Sequence, residues 1–452
     1  YYDVNPYLAD NPDDRMDEFK ELVRRVHQAG LKVIIDFVPN HVARDYADFT
    51  AAHPAPTGMT SLGEQDDSSV HWKEENDFFY YPGKALRLPV ENQTYVEIPA
   101  KASGNAYTAE PGVNDWYDTI KLNYCDTPSM TWSKMFDIVA FWASAGVDGF
   151  RCDMVELVPP EFFKWLISRV KKLYPHIIFV AEVYQKTLYA KYIREVGFDL
   201  LYDKSGMYDA VRAIVEKNVN DSGVPVEAWQ STKRITGNWQ FLGDLQPYML
   251  NFLENHDEQR FASDFFGKDA KNSFAALYAS LLLNQAPFML YAGEEVGEKG
   301  MDTEGFSGID GRTTIFDWWS PSALTRLYRY IHGDSTALTE NETALLERYR
   351  KVMRFAAEDK AISEGAVYDL CYCNYSSDGF NPDRHFAFLR DYKEETQLVV
   401  CNFSKNDADV RIVIPEHAFQ WLEMPETDKF NHSLPIVVHV PAMDAVILQV
   451  CG

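Results

Sequence analysis

The sequence predicts an α/β protein on a parallel barrel, with a small inserted domain and a β-rich carboxyl-terminal domain. Three observations carry that reading. Short apolar runs end in acidic or amide residues, amphipathic stretches of helical length lie between them, and two segments, 43–124 and 361–452, break the rhythm. Continuous β-rich runs read as parallel strands buried on both faces. Their alternation with helices, with functional side chains at strand ends, is the pattern of a parallel α/β barrel.

The elements follow in order. KVIIDFVPNH (32–41) comes after an amphipathic stretch at 14–29. GVDGFRCDMVE (146–156) lies between helix-like stretches at 129–145 and 160–173, and IIFVAEVY (177–184) follows. YMLNFLENHD (248–257) and PFMLYAGEE (287–295) flank a helical stretch at 270–283, and 321–357 has room for more than one helix. Segment 43–124 shows no helix of length and is rich in aromatics, Gly, Pro and Ser. A structureless loop of that size is improbable, so it reads as a small domain inserted after a barrel strand. From 361 onward, HFAFLRDY, TQLVVCNFS, VRIVIP and AVILQVC alternate with charged turns, as in an antiparallel β domain. The expected division is a barrel at 1–42 and 125–360, the insertion at 43–124, and an antiparallel β domain at 361–452.

Composition narrows the function. In 452 residues, 43 Lys and Arg face 68 Asp and Glu, a net charge of −25, which disfavours nucleic acid and anionic membrane as partners. With 46% hydrophobic and 14% aromatic residues the chain is globular. Six cysteines match no common zinc spacing; Cys371 and Cys373 are expected on one strand face, with no His beside them. No apolar run approaches the ~18–20 residues that span a bilayer. The chain starts at Tyr1 without a signal-peptide pattern, so an upstream part is expected to be missing and localisation is unreadable.

Strand alternation sets the candidate chemistry. In GFRCD, Arg151 and Asp153 share one side and Cys152 takes the other. A guanidinium beside a carboxylate lowers its pKa, and an ionised carboxylate at a barrel mouth can be a nucleophile; a plain salt bridge is the commoner use of such a pair. Glu182 has no basic neighbour in sequence, and apolar surroundings raise a carboxyl's pKa so that it holds a proton. One carboxyl pushed down and one kept up is the division of labour for cleaving a glycosidic bond. His256 and Asp257 close the fourth run, and Asp36, Asn40 and His41 end the first.

DFVPNH, GFRCD, a Glu after an apolar strand, and ENHD, in this order and spacing, resemble the four signature regions of glycoside hydrolase family 13, the α-amylase family. IKLN (120–123), MLYAGEE and the opening YYDV extend the resemblance over nearly the whole chain. It implies a catalytic (β/α)8 TIM-type barrel lacking its first two strands in this chain, the insertion after the third strand, a carboxyl-terminal antiparallel β-sandwich, and a retaining enzyme acting on α-glucans or maltooligosaccharides. By that resemblance Asp153 is the nucleophile and Glu182 the general acid and base. Asp257 binds sugar hydroxyls without reacting, and Arg151 orients Asp153. His41 and His256 bond hydroxyls, Tyr2 stacks beneath the sugar, and Asp36 and Asn40 brace the site.

No cofactor is needed for that chemistry. A structural calcium at the junction with the insertion is allowed, with Asn40 one candidate ligand and no full oxygen shell assignable. Trp72, Phe78 to Tyr81, Trp116 and Tyr184 offer rings for sugar faces, although core packing is the commoner use of any one of them. Trp318 and Trp319 either line the cleft or seal the barrel. The sequence departs from the pattern where many starch-degrading members carry Lys-His; here Glu156 and Leu157 stand, and Pro6 replaces a frequent Asp. Transglycosylation through the same intermediate is the alternative. A metal-dependent enzyme is disfavoured because Arg151 competes with a cation, and a non-catalytic relative because all three acids are present. Oligomeric state is not legible.

Overall fold

The computed structural model describes residues 1–46, 55–125, 127–220, 223–305, 307–313, 319–393, 395–423 and 435–451. The chain divides into two compact units, Tyr1–Tyr202 and Asp203–Gly452.

In the first unit, helix α1 (Arg15–Gln28) carries Asp17 and Glu18 in its first turn and Arg25 and His27 in its last, charges that complement the helix dipole. It leads to β1 (Ile34–Phe37) and β2 (His41–Ala43). Short strands β3 (Tyr80–Tyr81), β4 (Ala100–Lys101) and β5 (Thr119–Lys121) follow. Then come α2 (Met130–Ser144), β6 (Gly149–Cys152), α3 (Pro160–Leu173, with Pro at its first position), β7 (Ile178–Ala181) and β8 (Leu200–Tyr202). Strands β1, β6, β7 and β8 pair in that order, all parallel. The register aligns Asp36 with Arg151 and Val180, and Phe37 with Cys152 and Ala181.

Side chains alternate across such a sheet. Ile35, Phe37, Phe150, Cys152, Phe179 and Ala181 therefore share one face, and Asp36, Gly149, Arg151, Ile178 and Val180 the other. The first set is the packing face: Phe150 and Phe179 are buried, with stacked rings 5.8 Å apart. On the second, a Cβ at Gly149 would stand 2.7 Å from Ile178 Cγ1, so only glycine lets that side chain close over β6. Full two-sided burial, expected for every run, holds for β6 but not for β1, whose Ile34 is 44% exposed.

Segment 55–125 contains no α-helix, as expected; residues 47–54 lie outside the described set. β2 pairs antiparallel with β5 and β3 with β4. Two buried ion pairs fasten this segment. Arg44 meets Glu97 at 2.9 Å, and Lys134 of α2 meets Asp77, which also takes the Thr131 hydroxyl and the Gly63 N–H.

The second unit contains α4 (Asp209–Val219), α5 (Lys233–Leu242), β9 (Met249–Phe252), α6 (Phe274–Leu282) and β10 (Phe288–Met289), with β9 and β10 parallel. The stretch at 321–357 is two helices, α7 (Ser322–Ile331) and α8 (Glu340–Glu358), the latter opened by a Thr339–Glu342 capping box. β11 (Ala366–Asp369), β12 (His385–Tyr392), β13 (Glu395–Asn402), β14 (Ala408–Ile412), β15 (Ile436–Val440) and β16 (Asp444–Cys451) complete it. They form an antiparallel sheet in the order β11-β12-β13-β16 and a separate β14-β15 pair. Residues 424–434 lie outside the described set.

One local reading is corrected. Cys371 and Cys373 are not strand partners but lie on a one-turn helix, Cys371–Asn374, where Asp369 Oδ1 accepts the Cys371 N–H and starts the turn. Among the described residues no helix is long and apolar enough to cross a membrane.

Candidate functional site

The parallel register builds the site. Asp153 and Glu182 each follow directly on the aligned pair Cys152 and Ala181, and the Glu182 N–H bonds Cys152 O at 3.1 Å. They therefore occupy neighbouring positions on the face that also carries Arg151 and Asp36. Arg151, 6% exposed, is the hub. Its Nη1 donates to Asp153 Oδ1 at 2.7 Å, its Nη2 lies 3.0 Å from Glu182 Oε1, and its Nε lies 3.7 Å from Asp36 Oδ1. Beneath it lies the Tyr202 ring, with the guanidinium carbon 5.5 Å from the centroid.

At Asp153 the electrostatics run against the sequence expectation. Burial pushes the Asp153 carboxyl up to about 6, the Glu182 charge adds to the rise, and Arg151 opposes it without prevailing. Nor is Glu182 isolated among apolar groups. It is 2% exposed, yet it accepts from Met154 N–H at 2.9 Å and from the Tyr184 hydroxyl at 2.7 Å, beside Arg151. Its cationic neighbour arrives from the adjacent strand.

The remaining candidates in this unit take definite places. Tyr2 packs edge-on against Phe141 at 5.3 Å with its hydroxyl buried. Its neighbour Tyr1 donates to Val38 O at 2.5 Å, and the Asp153 charge helps raise its phenol's pKa, after burial itself. His41 lies beside Trp116, ring centroids 5.4 Å apart, and burial followed by the Lys121 charge lowers its pKa. Asn40 is fully buried and donates to Gly104 O at 3.0 Å. A Cβ at Gly104 would stand 3.2 Å from His41 Cβ and 2.6 Å from Thr119 Oγ1, so glycine permits this approach.

Asn40 does not fit calcium. Its Oδ1 accepts a bond from the Lys121 ammonium, which also donates to Leu157 O at 3.0 Å. A fixed ammonium on that oxygen repels a divalent cation, and the other partner is a neutral carbonyl. Among the described residues no cluster of three His, Cys, Asp or Glu forms a metal cage.

Of the aromatic candidates, Phe78 and Tyr80 are core residues, while Trp72 is 53% exposed. Trp319 is buried with its indole N–H on Asp302, and Trp318 lies outside the described residues. Sequence reasoning missed Tyr1, Lys121 and Tyr202 as parts of the constellation. Lys121 is within reach of the sequence, because it lies inside the IKLN motif.

In the second unit, ENHD splits into scaffold and presented groups. Glu254 and Arg260, each 1% exposed, form an ion pair at 2.8 Å, and Glu254 Oε1 also takes the Phe261 N–H. Asn255 Oδ1 caps the turn by accepting the Asp257 and Glu258 N–H groups, each at 2.9 Å. His256 and Asp257 are left more open, their side chains 3.3 Å apart at Nε2 and Oδ2.

Residues 1–365 match the family profile described as alpha amylase, catalytic domain. Alpha-amylase 3 of Dictyoglomus thermophilum is 24% identical over 452 residues, covering 95% of this chain and 78% of that protein. Neopullulanase 2 of Thermoactinomyces vulgaris is 22% identical, covering 93% of this chain and 60% of that protein. Among solved structures, the cyclic alpha-maltosyl-(1→6)-maltose hydrolase of Arthrobacter globiformis superposes with a TM-score of 0.62 at 17% identity, covering 99% of this chain and 82% of that one. The fold is the (β/α)8 barrel of these proteins, with a parallel strand sheet and a carboxyl-terminal antiparallel β domain. Because the family profile takes in most of its length, the chain belongs to the alpha-amylase family of glycosidases.

Proposed function

We propose that this protein cleaves α-glucosidic bonds of α-glucans or maltooligosaccharides by double displacement with retention. Asp153 attacks the anomeric carbon as Glu182 gives its proton to the departing oxygen. The resulting β-glycosyl ester is then hydrolysed by a water that Glu182 deprotonates. Asp257, His256 and His41 bond sugar hydroxyls, Asp36 and Asn40 brace the strand end, and segment 43–124 acts as the inserted domain.

The supporting observation is the parallel register. It sets Asp153 and Glu182 side by side on one guanidinium, 2.7 Å and 3.0 Å from its two terminal nitrogens, and the close pairing of two carboxyls is what double displacement needs. Transfer to an acceptor sugar in place of water is the second reading, favoured by the family's inclusion of proteins named cyclomaltodextrin glucanotransferase, one of which is 24% identical to this chain.

Asp153→Asn should lower turnover of an activated α-glucoside by about a thousandfold or more; substantial residual activity removes it as nucleophile. Glu182→Gln should cost ~10²–10⁴-fold on natural glucans and far less with an activated leaving group. Product chromatography from a maltooligosaccharide ladder, with and without added acceptor, separates hydrolysis from transfer.

A further inference from the structure

The β6 strand end reaches over to the β7 strand end through more than Arg151. After Asp153 the chain turns through Met154, a non-glycine residue in the left-handed region at φ 45°, into a one-turn helix, Val155–Leu157. The turn aims the Met154 N–H at Glu182 Oε2. It also swings the half-buried Glu156 side chain back onto the residues that follow Glu182. Glu156 Oε2 accepts the Tyr184 N–H at 2.9 Å, and its Oε1 accepts the Gln185 N–H at 3.1 Å. Tyr184 in turn places its hydroxyl 2.7 Å from Glu182 Oε1.

We propose that Glu156 is a positioning residue: by gripping the Tyr184 and Gln185 N–H groups it sets the Tyr184 phenol against Glu182. A carboxylate is suited to this because it offers two acceptor oxygens to two successive backbone donors, and bonds to a charged acceptor are the strong ones. A lysine at 156 has only donors and cannot make this grip. Freed from it, Tyr184 loses the backbone anchor that fixes its side-chain direction, and Glu182 keeps Met154 and Arg151 but loses its hydroxyl donor. The carboxylate is thus turned inward, on the protein. The inference rests on Glu182 being the acid and base.

The test uses Glu156→Ala, Glu156→Gln, Tyr184→Phe and the Glu156→Ala/Tyr184→Phe double variant in the full chain. Glu156→Ala should lower kcat on a natural glucan by about a hundredfold, the cost of an ångström-scale misplacement, with KM changed little. An α-glucoside whose leaving group needs no proton should be spared. The double variant should lose no more than Tyr184→Phe alone. Glu156→Gln, which keeps the shape and one accepting oxygen, should lose an intermediate amount, and it carries the test if the alanine variant does not fold.

Equal losses on both substrates, or losses that multiply in the double variant, overturn the proposal. Amide hydrogen exchange at 184–185 reads the grip without activity: faster exchange in the variants supports it, and unchanged exchange overturns it. Wild-type protein inactive on every α-glucan would instead sink the reading of Glu182, while the exchange measurement still decides the grip.

Discussion

Arg151 is one cation serving three acids, and the balance at Asp153 goes to burial. With its carboxyl raised to about 6, Asp153 takes up a proton as pH falls through that value, well above the ordinary carboxylate range. A protonated nucleophile cannot attack, so kcat/KM on an activated α-glucoside should fall away below pH about 6. Arg151→Met removes the cation that pulls that pKa down, so the acid limb should move to higher pH. A pH–rate profile checks both, and an unmoved limb would separate Arg151 from the ionisation of Asp153. The identities of these acids were legible because alternation and strand-end position are local properties of the sequence. Their ionisation was not, because it depends on depth and on a guanidinium reaching across from the next strand. Sequence adjacency suggested the Arg151–Asp153 contact and hid Arg151–Glu182.

Among elements, segment 55–125 shows how buried charge can fasten a stretch with little regular structure to a helix. Asp77 is fully buried, Lys134 is 3% exposed, and Thr131, Gly63 and the Ser61 carbonyl complete the network. Replacing Asp77 with Ala strands an ammonium inside the protein and should cost about 3–5 kcal/mol. Replacing Lys134 with Met in the same background should return a large part of that loss. Denaturant unfolding of the single and double variants measures it; a loss of less than about 1 kcal/mol would mean the pair is dispensable. Long periodic elements were readable: α3 occupies the stretch bounded by Pro160 and Leu173 that its amphipathic spacing marked. The three-residue β8 was not, since so short a run has no periodicity to detect and its identity as a strand comes from pairing with β7. The same lack of local signal turned Cys371 and Cys373 into a supposed strand, when a single side-chain bond from Asp369 redirects the backbone.

Across the molecule, charge and sulfur set the terms on which solvent meets the fold. A net charge of −25 keeps polyanions away while leaving an uncharged glucan unaffected. Cys152, Cys371, Cys373 and Cys401 are free thiols, and burial raises the pKa of each, that of Cys373 to about 11. Their depths are graded: Cys373 is partly open, whereas Cys152 has no accessible surface and sits in the strand just before Asp153. An alkylating reagent therefore finds a built-in clock. Of these four, Cys373 should be modified first and without loss of turnover. Cys152 should follow only when β6 parts from its neighbours, its rate giving the opening free energy of the strand that carries the nucleophile. Mass mapping of timed alkylation checks the order, and early modification of Cys152 would show that this strand breathes in the folded protein.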